Sequence, residues 1–311
     1  MTNLNRREFL GTLPVVAAGA HLAAATEPRP SPDGSGSETP LLDFHQHTKY
    51  NGRVDHDLLA HQAYHRVTKT VLLPGAGWMN SIVGDNAICA AFQADYPDLF
   101  WRFACSDPAE SRTLDVLRGN IHRGALGFGE LKFHVAVDSP EMHSIYKLAE
   151  ELGVPVLLHF EFETYNTGLE RFENILKTYP KVNFLGHAQT WWGNISADLN
   201  PLDLYPKGPI KPGGLTDRLL SDYPNMFGDL SAESGLNALT RDPDFAHGFV
   251  ERHSRKLVWG SDCDCRDGKG GGVQSGYCIG GRCLAALKKL VSSDAAFRRI
   301  TYENGAALLH L

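Results

Sequence analysis

The sequence predicts an α/β protein with a single (β/α)8 barrel, the TIM-barrel fold, and three observations support this prediction. Short apolar runs recur about every thirty residues, as a strand followed by a crossover helix requires. These runs are continuously apolar, which is typical of parallel strands buried on both faces. The segment from Leu41 to Leu311 has about 270 residues, close to the typical length of one such barrel.

The predicted elements alternate along the chain. Strands are predicted at 41–46, 69–74, 99–104, 126–133, 154–160, 182–187, 225–230 and 256–261. The clearest helix is predicted at 139–153, where Ser139 can act as the N-cap, Pro140 occupies the first turn and Gly153 ends the pattern. A second helix is predicted at 169–180. The interval 189–223 is long and rich in aromatic residues, Gly and Pro, as active-site loops often are.

Two segments precede the predicted barrel. Residues 1–25 combine Arg6 and Arg7 with a weakly apolar stretch, which is the pattern of a twin-arginine signal peptide cleaved after Ala25. A membrane anchor is disfavoured because a span needs about 20 predominantly apolar residues. Residues 26–40 are rich in Pro, Gly, Ser and acidic side chains and are predicted to form a disordered linker. We therefore expect export to the periplasm by the twin-arginine machinery, without stable membrane insertion after cleavage.

The composition is that of an acidic globular protein. The formal net charge is −6, and the chain contains no run of Lys or Arg. Both observations argue against a nucleic-acid or anionic-lipid partner. A small-molecule substrate is expected instead, and assembly into a homo-oligomer stays open.

Polar residues stand where several of the predicted strands end. His45 and His47 follow the first apolar run, His159 the fifth, His187 the sixth and Asp262 the last. In a barrel of parallel strands these ends converge on one face. Imidazole and carboxylate groups form the ligand set of catalytic zinc and similar ions. The sequence therefore predicts a centre for one or two divalent metal ions per chain, with zinc as the first candidate.

The motifs that carry these residues closely resemble the amidohydrolase superfamily, in its amidohydrolase-related (family 2) branch. They are DFHQH, GELKFH, LLHF, FLGHAQ and WGSD, followed by RRITYENGAALL near the C-terminus. The resemblance covers nearly all of the chain after the signal peptide. It implies that His45, His47, His159 and Asp262 bind metal. It also implies that His187 binds a second ion or polarises the substrate, and that Asp262 accepts a proton from the metal-bound water.

The same resemblance implies a hydrolase that cleaves a lactone, an ester or an amide. Some relatives use the same ligands for nonoxidative decarboxylation, so a lyase is the first alternative. A phosphodiesterase is disfavoured by the acidic charge. A non-catalytic binding barrel is the least favoured alternative because the set of candidate ligands is intact.

Glu130, Lys132 and His134 are spaced by two along the fourth predicted strand, so all three are expected to face the barrel interior. Relatives with two metal ions place a bridging carboxylated lysine or a glutamate on this strand. The GELK segment is similar to both patterns, so the resemblance makes Glu130 a candidate metal ligand. Lys132 is in addition a candidate substrate contact. An internal ion pair between Glu130 and Lys132 is the alternative.

Three further residues are candidate substrate contacts. Trp191 and Trp192 follow His187 closely, and they are expected either to stack on a sugar or aromatic ring or to pack in the core. Ser231 follows the seventh predicted strand.

Four of the six cysteines follow Asp262 in one glycine-rich loop, at Cys263, Cys265, Cys278 and Cys283. Their spacing is compatible with a structural zinc ion. An exported protein meets an oxidising compartment, so one or two disulfides are the preferred prediction. His61 and His65 lie one turn apart on a predicted helix, where a solvated face is preferred over a second metal site.

Overall fold

Eight short parallel strands run through the residues that this computed structural model describes, 39–311. The predicted signal peptide, 1–25, and nearly all of the predicted linker, 26–40, lie outside them. The strands are β1 Leu42–Gln46, β2 Lys69–Leu72, β3 Phe100–Arg102, β4 Phe128–Leu131, β5 Val156–His159, β6 Phe184–His187, β7 Met226–Asp229 and β8 Leu257–Val258.

The strands pair in chain order. One sheet contains β1 to β3 and the other contains β4 to β8, and every pair is parallel. Backbone hydrogen bonds bridge both seams between the sheets. The Phe44 N–H donates to the Trp259 carbonyl at 3.1 Å, and the Gly129 N–H donates to the Ala104 carbonyl at 2.9 Å. The prediction of a (β/α)8 barrel is therefore confirmed.

Helices connect the strands. The α-helices are α1 Asp55–Tyr64, α2 Asn80–Val83, α3 Asn86–Asp95, α4 Thr113–His122, α5 Pro140–Leu152, α6 Phe172–Thr178, α7 Gln189–Gly193, α8 Leu215–Asp222, α9 Ala232–Thr240, α10 Pro243–Arg252, α11 Ile279–Leu290, α12 Asp294–Arg298 and α13 Asn304–Leu308. Short 3-10 turns occupy Tyr50–Gly52, Gly77–Met79 and Leu169–Arg171, and Arg299–Glu303 is a π-helix. Within 39–311, no helix combines the length and apolarity that crossing a bilayer requires.

The helix α5 shows how the local sequence sets these boundaries. The Ser139 hydroxyl accepts a hydrogen bond from the Met142 amide at 3.3 Å, and Pro140 begins the helix. Gly153 ends it in the left-handed conformation, with φ of 66°. Both boundaries agree with the predicted helix at 139–153. The predicted helix at 169–180 begins as a 3-10 turn and continues as α6.

Apolar side chains on five strands, and Phe103 just beyond β3, form one buried cluster. Its members include Phe44, Val71, Phe103, Leu157, Leu185 and Val258. Side chains on opposite strands of a barrel meet only in its interior, so this cluster fills the barrel. Polar residues occupy the carboxyl ends of the strands, beyond this cluster.

Candidate metal centre

Six polar side chains from five strands converge at the carboxyl end of the barrel. They are His45, His47, Glu130, His159, His187 and Asp262, and all six are buried. His45, Glu130, His159 and His187 lie on β1, β4, β5 and β6, while His47 and Asp262 lie just beyond β1 and β8. The convergence follows from the topology because the carboxyl ends of parallel strands meet on one face.

The donor atoms are spaced as ligands of a shared ion would be. The Asp262 carboxylate lies 3.4 Å from Nε2 of His47, 3.4 Å from Nε2 of His187 and 3.7 Å from Nε2 of His45. The Glu130 carboxylate lies 3.7–3.9 Å from the same three nitrogens. Tetrahedral ligands about 2.1 Å from an ion are separated by about 3.4 Å. The distances therefore fit shared coordination better than direct hydrogen bonding.

The Asp262 carboxylate also gives a direct test of whether these residues fit a cation. Its Oδ1 is buried and has no hydrogen-bond partner among the described residues. A buried carboxylate oxygen without a partner is costly, and a cation beside it removes that cost. Imidazole and carboxylate ligands suit several first-row divalent ions. The residues present thus fit a divalent metal ion.

One important residue of this centre, Asp229 at the end of β7, was not among the predicted site residues. Its Oδ2 lies 2.6 Å from Nδ1 of His45 and 3.3 Å from Nδ1 of His187, and it accepts a hydrogen bond from the Ser231 hydroxyl at 2.9 Å. A carboxylate on Nδ1 fixes the orientation of each ring and directs Nε2 to the metal. The sequence signal was its place at the end of an apolar run, in MFGD.

Nδ1 of His47 is held differently, 2.7 Å from the Leu73 carbonyl oxygen. His45 and His47 therefore both direct Nε2 to the centre, although Nδ1 of His45 contacts a carboxylate and Nδ1 of His47 contacts a backbone carbonyl. Their Nε2 atoms lie 3.4 Å apart. This arrangement agrees with the expectation that both rings serve one site.

The electrostatics of the centre are set by these close pairs. Burial disfavours the charged form of His187, but the adjacent carboxylates of Asp229 and Asp262 outweigh this and raise its pKa to about 10. Burial likewise works to raise the pKa of Asp262, yet His45, His187 and His47 hold it well below its usual value. A divalent cation held by these residues would supply positive charge beside the same carboxylates.

The side chains of Glu130 and Lys132 separate. Glu130 Oε1 lies 2.5 Å from Nδ1 of His159, inside the centre. The Lys132 ammonium lies 5.0 Å from the ring centre of Tyr165 and 5.9 Å from that of Trp78. The ion pair between Glu130 and Lys132, left open by the sequence, is thus not formed.

The centre opens into a cleft of about 350 Å³. Its walls include His47, Glu130, Lys132, His159, His187 and Asp262, together with Tyr50, Trp78, Gln189, Tyr205 and Glu233. A separate cavity of about 420 Å³ is lined by residues such as Glu163 and Arg171 and contains none of the converging six. The cleft of about 350 Å³ is large enough for a small substrate, and it is lined by five of the six converging residues.

The expected stacking wall of Trp191 and Trp192 needs correction. Both indoles are buried in the core and do not line the cleft. Trp191 stacks on Phe160 with ring centres 6.1 Å apart, and Trp192 donates its indole N–H to the Asp229 carbonyl at 2.9 Å. Packing, the alternative left open by the sequence, therefore describes both residues.

Ser231 is also buried away from the cleft. Its hydroxyl lies 3.0 Å from Nδ1 of His187 and 3.2 Å from Nδ1 of His45, in addition to its bond to Asp229. Its contacts are therefore with His45, His187 and Asp229, and it does not line the cleft.

The cysteines are not joined by disulfides in the structure, where all six thiols are free and buried. Cys263 and Cys278 come closest, with sulfurs 3.7 Å apart. The preferred prediction of disulfides in this loop thus has no counterpart here.

Residues 50–311 match the family model described as amidohydrolase. The match begins after His45 and His47 and includes the other converging residues. Among proteins with curated functions, none matches the chain.

Solved structures share the fold at low sequence identity. A probable 2-pyrone-4,6-dicarboxylic acid hydrolase from Acinetobacter baumannii, with citric acid bound, has a TM-score of 0.60 and 16% identity, over 88% of this chain and 100% of that one. A dihydroxybenzoic acid decarboxylase from a Polaromonas species, with manganese bound, gives 0.54 and 11%, over 88% and 97%. A dihydroorotase from Campylobacter jejuni gives 0.54 and 15%, over 87% and 83%.

Proposed function

The chain is a metal-dependent enzyme of the amidohydrolase family, and on that premise we propose that it hydrolyses a lactone, ester or amide bond in a small organic acid. The observation that carries the proposal is the position of Asp262. Its carboxylate faces the Nε2 atoms of His47 and His187 at 3.4 Å and also lines the cleft. In this proposal Asp262 acts on a water molecule held beside these imidazoles.

A divalent ion in this centre supplies a Lewis acid that lowers the pKa of water and polarises a carbonyl group. The chain supplies the rest. Asp262 accepts the proton of the attacking water and returns it to the leaving group. Asp229 keeps His45 and His187 oriented through their Nδ1 atoms.

The position of Lys132 is the evidence for an acidic substrate. It is the only lysine or arginine among the residues that line the cleft, and it has no ion pair within the described part of the chain. Its ammonium rests near the rings of Tyr165 and Trp78. A substrate carboxylate would complete this environment as a charge-assisted partner. The names of two structural neighbours, a pyrone dicarboxylic acid hydrolase and a dihydroxybenzoic acid decarboxylase, agree with an organic acid.

Nonoxidative decarboxylation is the second candidate function. The same Lys132 cation beside the same ligands also suits an aromatic acid that loses its carboxylate. The manganese-bound decarboxylase supports this alternative as strongly as the pyrone hydrolase supports hydrolysis.

One labelling experiment separates the two functions. The metal-loaded protein is incubated in ¹⁸O-labelled water with carboxylated lactones, esters and amides, and with hydroxybenzoates. Label in a new product carboxylate supports hydrolysis. Release of carbon dioxide without label in the remaining product supports decarboxylation. Turnover of neither group by protein of verified metal content would contradict both proposals.

We also propose zinc as the bound metal, with one or two ions per chain, because imidazole and carboxylate ligands are those of catalytic zinc. Elemental analysis of protein purified without added metal tests this assignment. Manganese or iron at the same stoichiometry would overturn it.

A further inference from the structure

A second group of metal-binding side chains lies beside the loop that follows Asp262. Its members are His61 of α1 and Cys263, Cys265 and Cys278, and their donor atoms all lie within 4.8 Å of one another. All four side chains are buried. We propose that these residues bind a structural zinc ion through three thiolates and one imidazole. This thiolate site is distinct from the metal centre of the barrel.

The separations of the donor atoms support coordination. The Cys263 and Cys278 sulfurs are 3.7 Å apart, and Nε2 of His61 lies 3.2 Å from the Cys278 sulfur. Zinc–sulfur bonds of about 2.3 Å in a tetrahedron place the sulfurs about 3.8 Å apart. A disulfide would require about 2.05 Å. The cluster is therefore spaced for a shared ion.

Each sulfur also receives a backbone hydrogen bond. The Gly270 amide donates to Cys265 at 3.1 Å, the Cys265 amide to Cys263 at 3.4 Å and the Gly281 amide to Cys278 at 3.4 Å. The last donor belongs to the first turn of α11, whose N-cap is Cys278. Backbone N–H donors and the positive end of a helix stabilise negative charge on a metal-bound sulfur.

The imidazole of His61 is prepared as a ligand by its neighbours. The Gln62 amide nitrogen donates to Asp43 at 2.8 Å, so its oxygen faces Nδ1 of His61, at 3.1 Å. With a proton on Nδ1, His61 presents the lone pair of Nε2 to the cysteines. The expected solvated face for this histidine is wrong, because His61 is fully buried.

A buried positive charge stands beside the thiolates. Arg53 donates to the Cys263 carbonyl at 2.6 Å and to the Cys265 carbonyl at 3.2 Å. Three thiolates and one divalent zinc carry a net charge of −1, which the guanidinium offsets. Burial of a net charge is costly, so this pairing makes the thiolate site tolerable in the interior.

The site is closed, as structural zinc sites are. Four protein ligands would satisfy a zinc ion without solvent, and none of the four lines the cleft. The ion would tie α1, the start of α11 and the loop between β8 and α11 together. Cys263 directly follows Asp262, so the proposed role is to position that carboxylate at the barrel end.

The test uses full-length protein and does not depend on any substrate. The His45→Ala/His47→Ala variant removes ligands of the metal centre only. We expect it to retain one zinc ion per chain, with a three-sulfur shell in zinc-edge X-ray absorption. A cobalt-exchanged sample should show a sulfur-to-cobalt charge-transfer band. Absence of zinc from this variant, or a shell of nitrogen and oxygen only, would overturn the proposal.

Cysteine variants locate the ion. Cys265→Ser should lose the charge-transfer band, whereas Cys283→Ala, which removes a nearby buried thiol outside the group, should keep it. If Cys265→Ser does not fold, thiol modification of the wild-type protein replaces it. Release of one zinc ion as three thiols react supports the site, and thiol reaction without zinc release contradicts it.

Discussion

The two nitrogens of a site histidine have different partners. For His45 and His187, Nε2 faces the metal centre while Nδ1 faces the carboxylate of Asp229. We predict that Asp229→Asn weakens metal binding by roughly 10–100-fold, because the supporting carboxylate is lost. Ser231→Ala leaves that carboxylate in place and should have a smaller effect. Competition with a chromogenic chelator measures both, and equal effects of the two variants would contradict this role of Asp229.

Asp262 has the catalytic role in the proposed reaction. Asp262→Asn should lower kcat by about 10²–10⁴-fold, the usual contribution of a positioned general base. Circular dichroism should show an unchanged fold. Asp264→Asn, two residues along the same loop, is the control and should keep most of the rate. An active Asp262→Asn protein would exclude Asp262 as the proton acceptor.

The strand-end residues could be predicted from sequence because a parallel barrel leaves little choice about where they meet. The buried position of Trp191 could not be predicted in this way. Gly186 leaves room for its ring, since a Cβ there would lie 2.3 Å from the indole. Ala188 turns the chain at φ of 79° before α7. Such local space and backbone direction are not visible in a run of residue types.

At the scale of elements, the close contact between β1 and the segment that follows β8 positions His45. A Cβ on Gly260 would lie 2.6 Å from Cβ of His45 and 2.8 Å from its backbone nitrogen. We predict that Gly260→Ala forces the two strands apart and destabilises the protein by about 1–3 kcal/mol, as overpacking does. Metal affinity should fall as well, because His45 moves.

Gly248→Ala on α10 is the matched control. Its nearest neighbour would be the flexible guanidinium of Arg252 at 3.3 Å, and alanine favours a helix interior by about 0.5–1 kcal/mol. Urea unfolding and metal titration of both variants check the expectation. Full metal affinity in Gly260→Ala would show that the contact at Gly260 does not set the position of His45.

The sequence predicted which segments form strands and helices. It predicted less well which face of a helix is buried. The eight apolar runs identified the strands, and the capping residues identified α5. The buried face of α1 was missed because it consists of Leu58, His61 and Gln62, two of which are polar. Their spacing of three and four residues is that of a helix face. The burial of the two polar residues depends on partners on other elements, since His61 contacts Cys278 of the loop after β8 and Gln62 bonds Asp43 of β1.

At the scale of the whole molecule, bound metal should contribute to stability. An ion that binds only the folded chain adds RT ln(1 + [L]/Kd), about 2.7 kcal/mol at a hundredfold excess over Kd. We predict that removal of all metal lowers the melting temperature and that zinc restores it. Calorimetry before and after chelation measures the shift. The His45→Ala/His47→Ala protein should still show a chelator-dependent shift, because the thiolate site remains.

The predicted export and the proposed thiolate site would place different demands on the order of folding and export. Thiolates assemble around zinc in a reducing compartment, whereas unfolded cysteines oxidise in the periplasm. We propose that the chain folds and binds zinc in the cytoplasm and that the twin-arginine machinery then exports it folded. Replacing Arg6 and Arg7 together with lysine should leave folded, metal-loaded protein in the cytoplasm. Replacing residues 1–25 with a signal for unfolded export should give periplasmic protein with fewer free thiols and less zinc. Complete zinc and six free thiols in that material would show that folding before export is unnecessary.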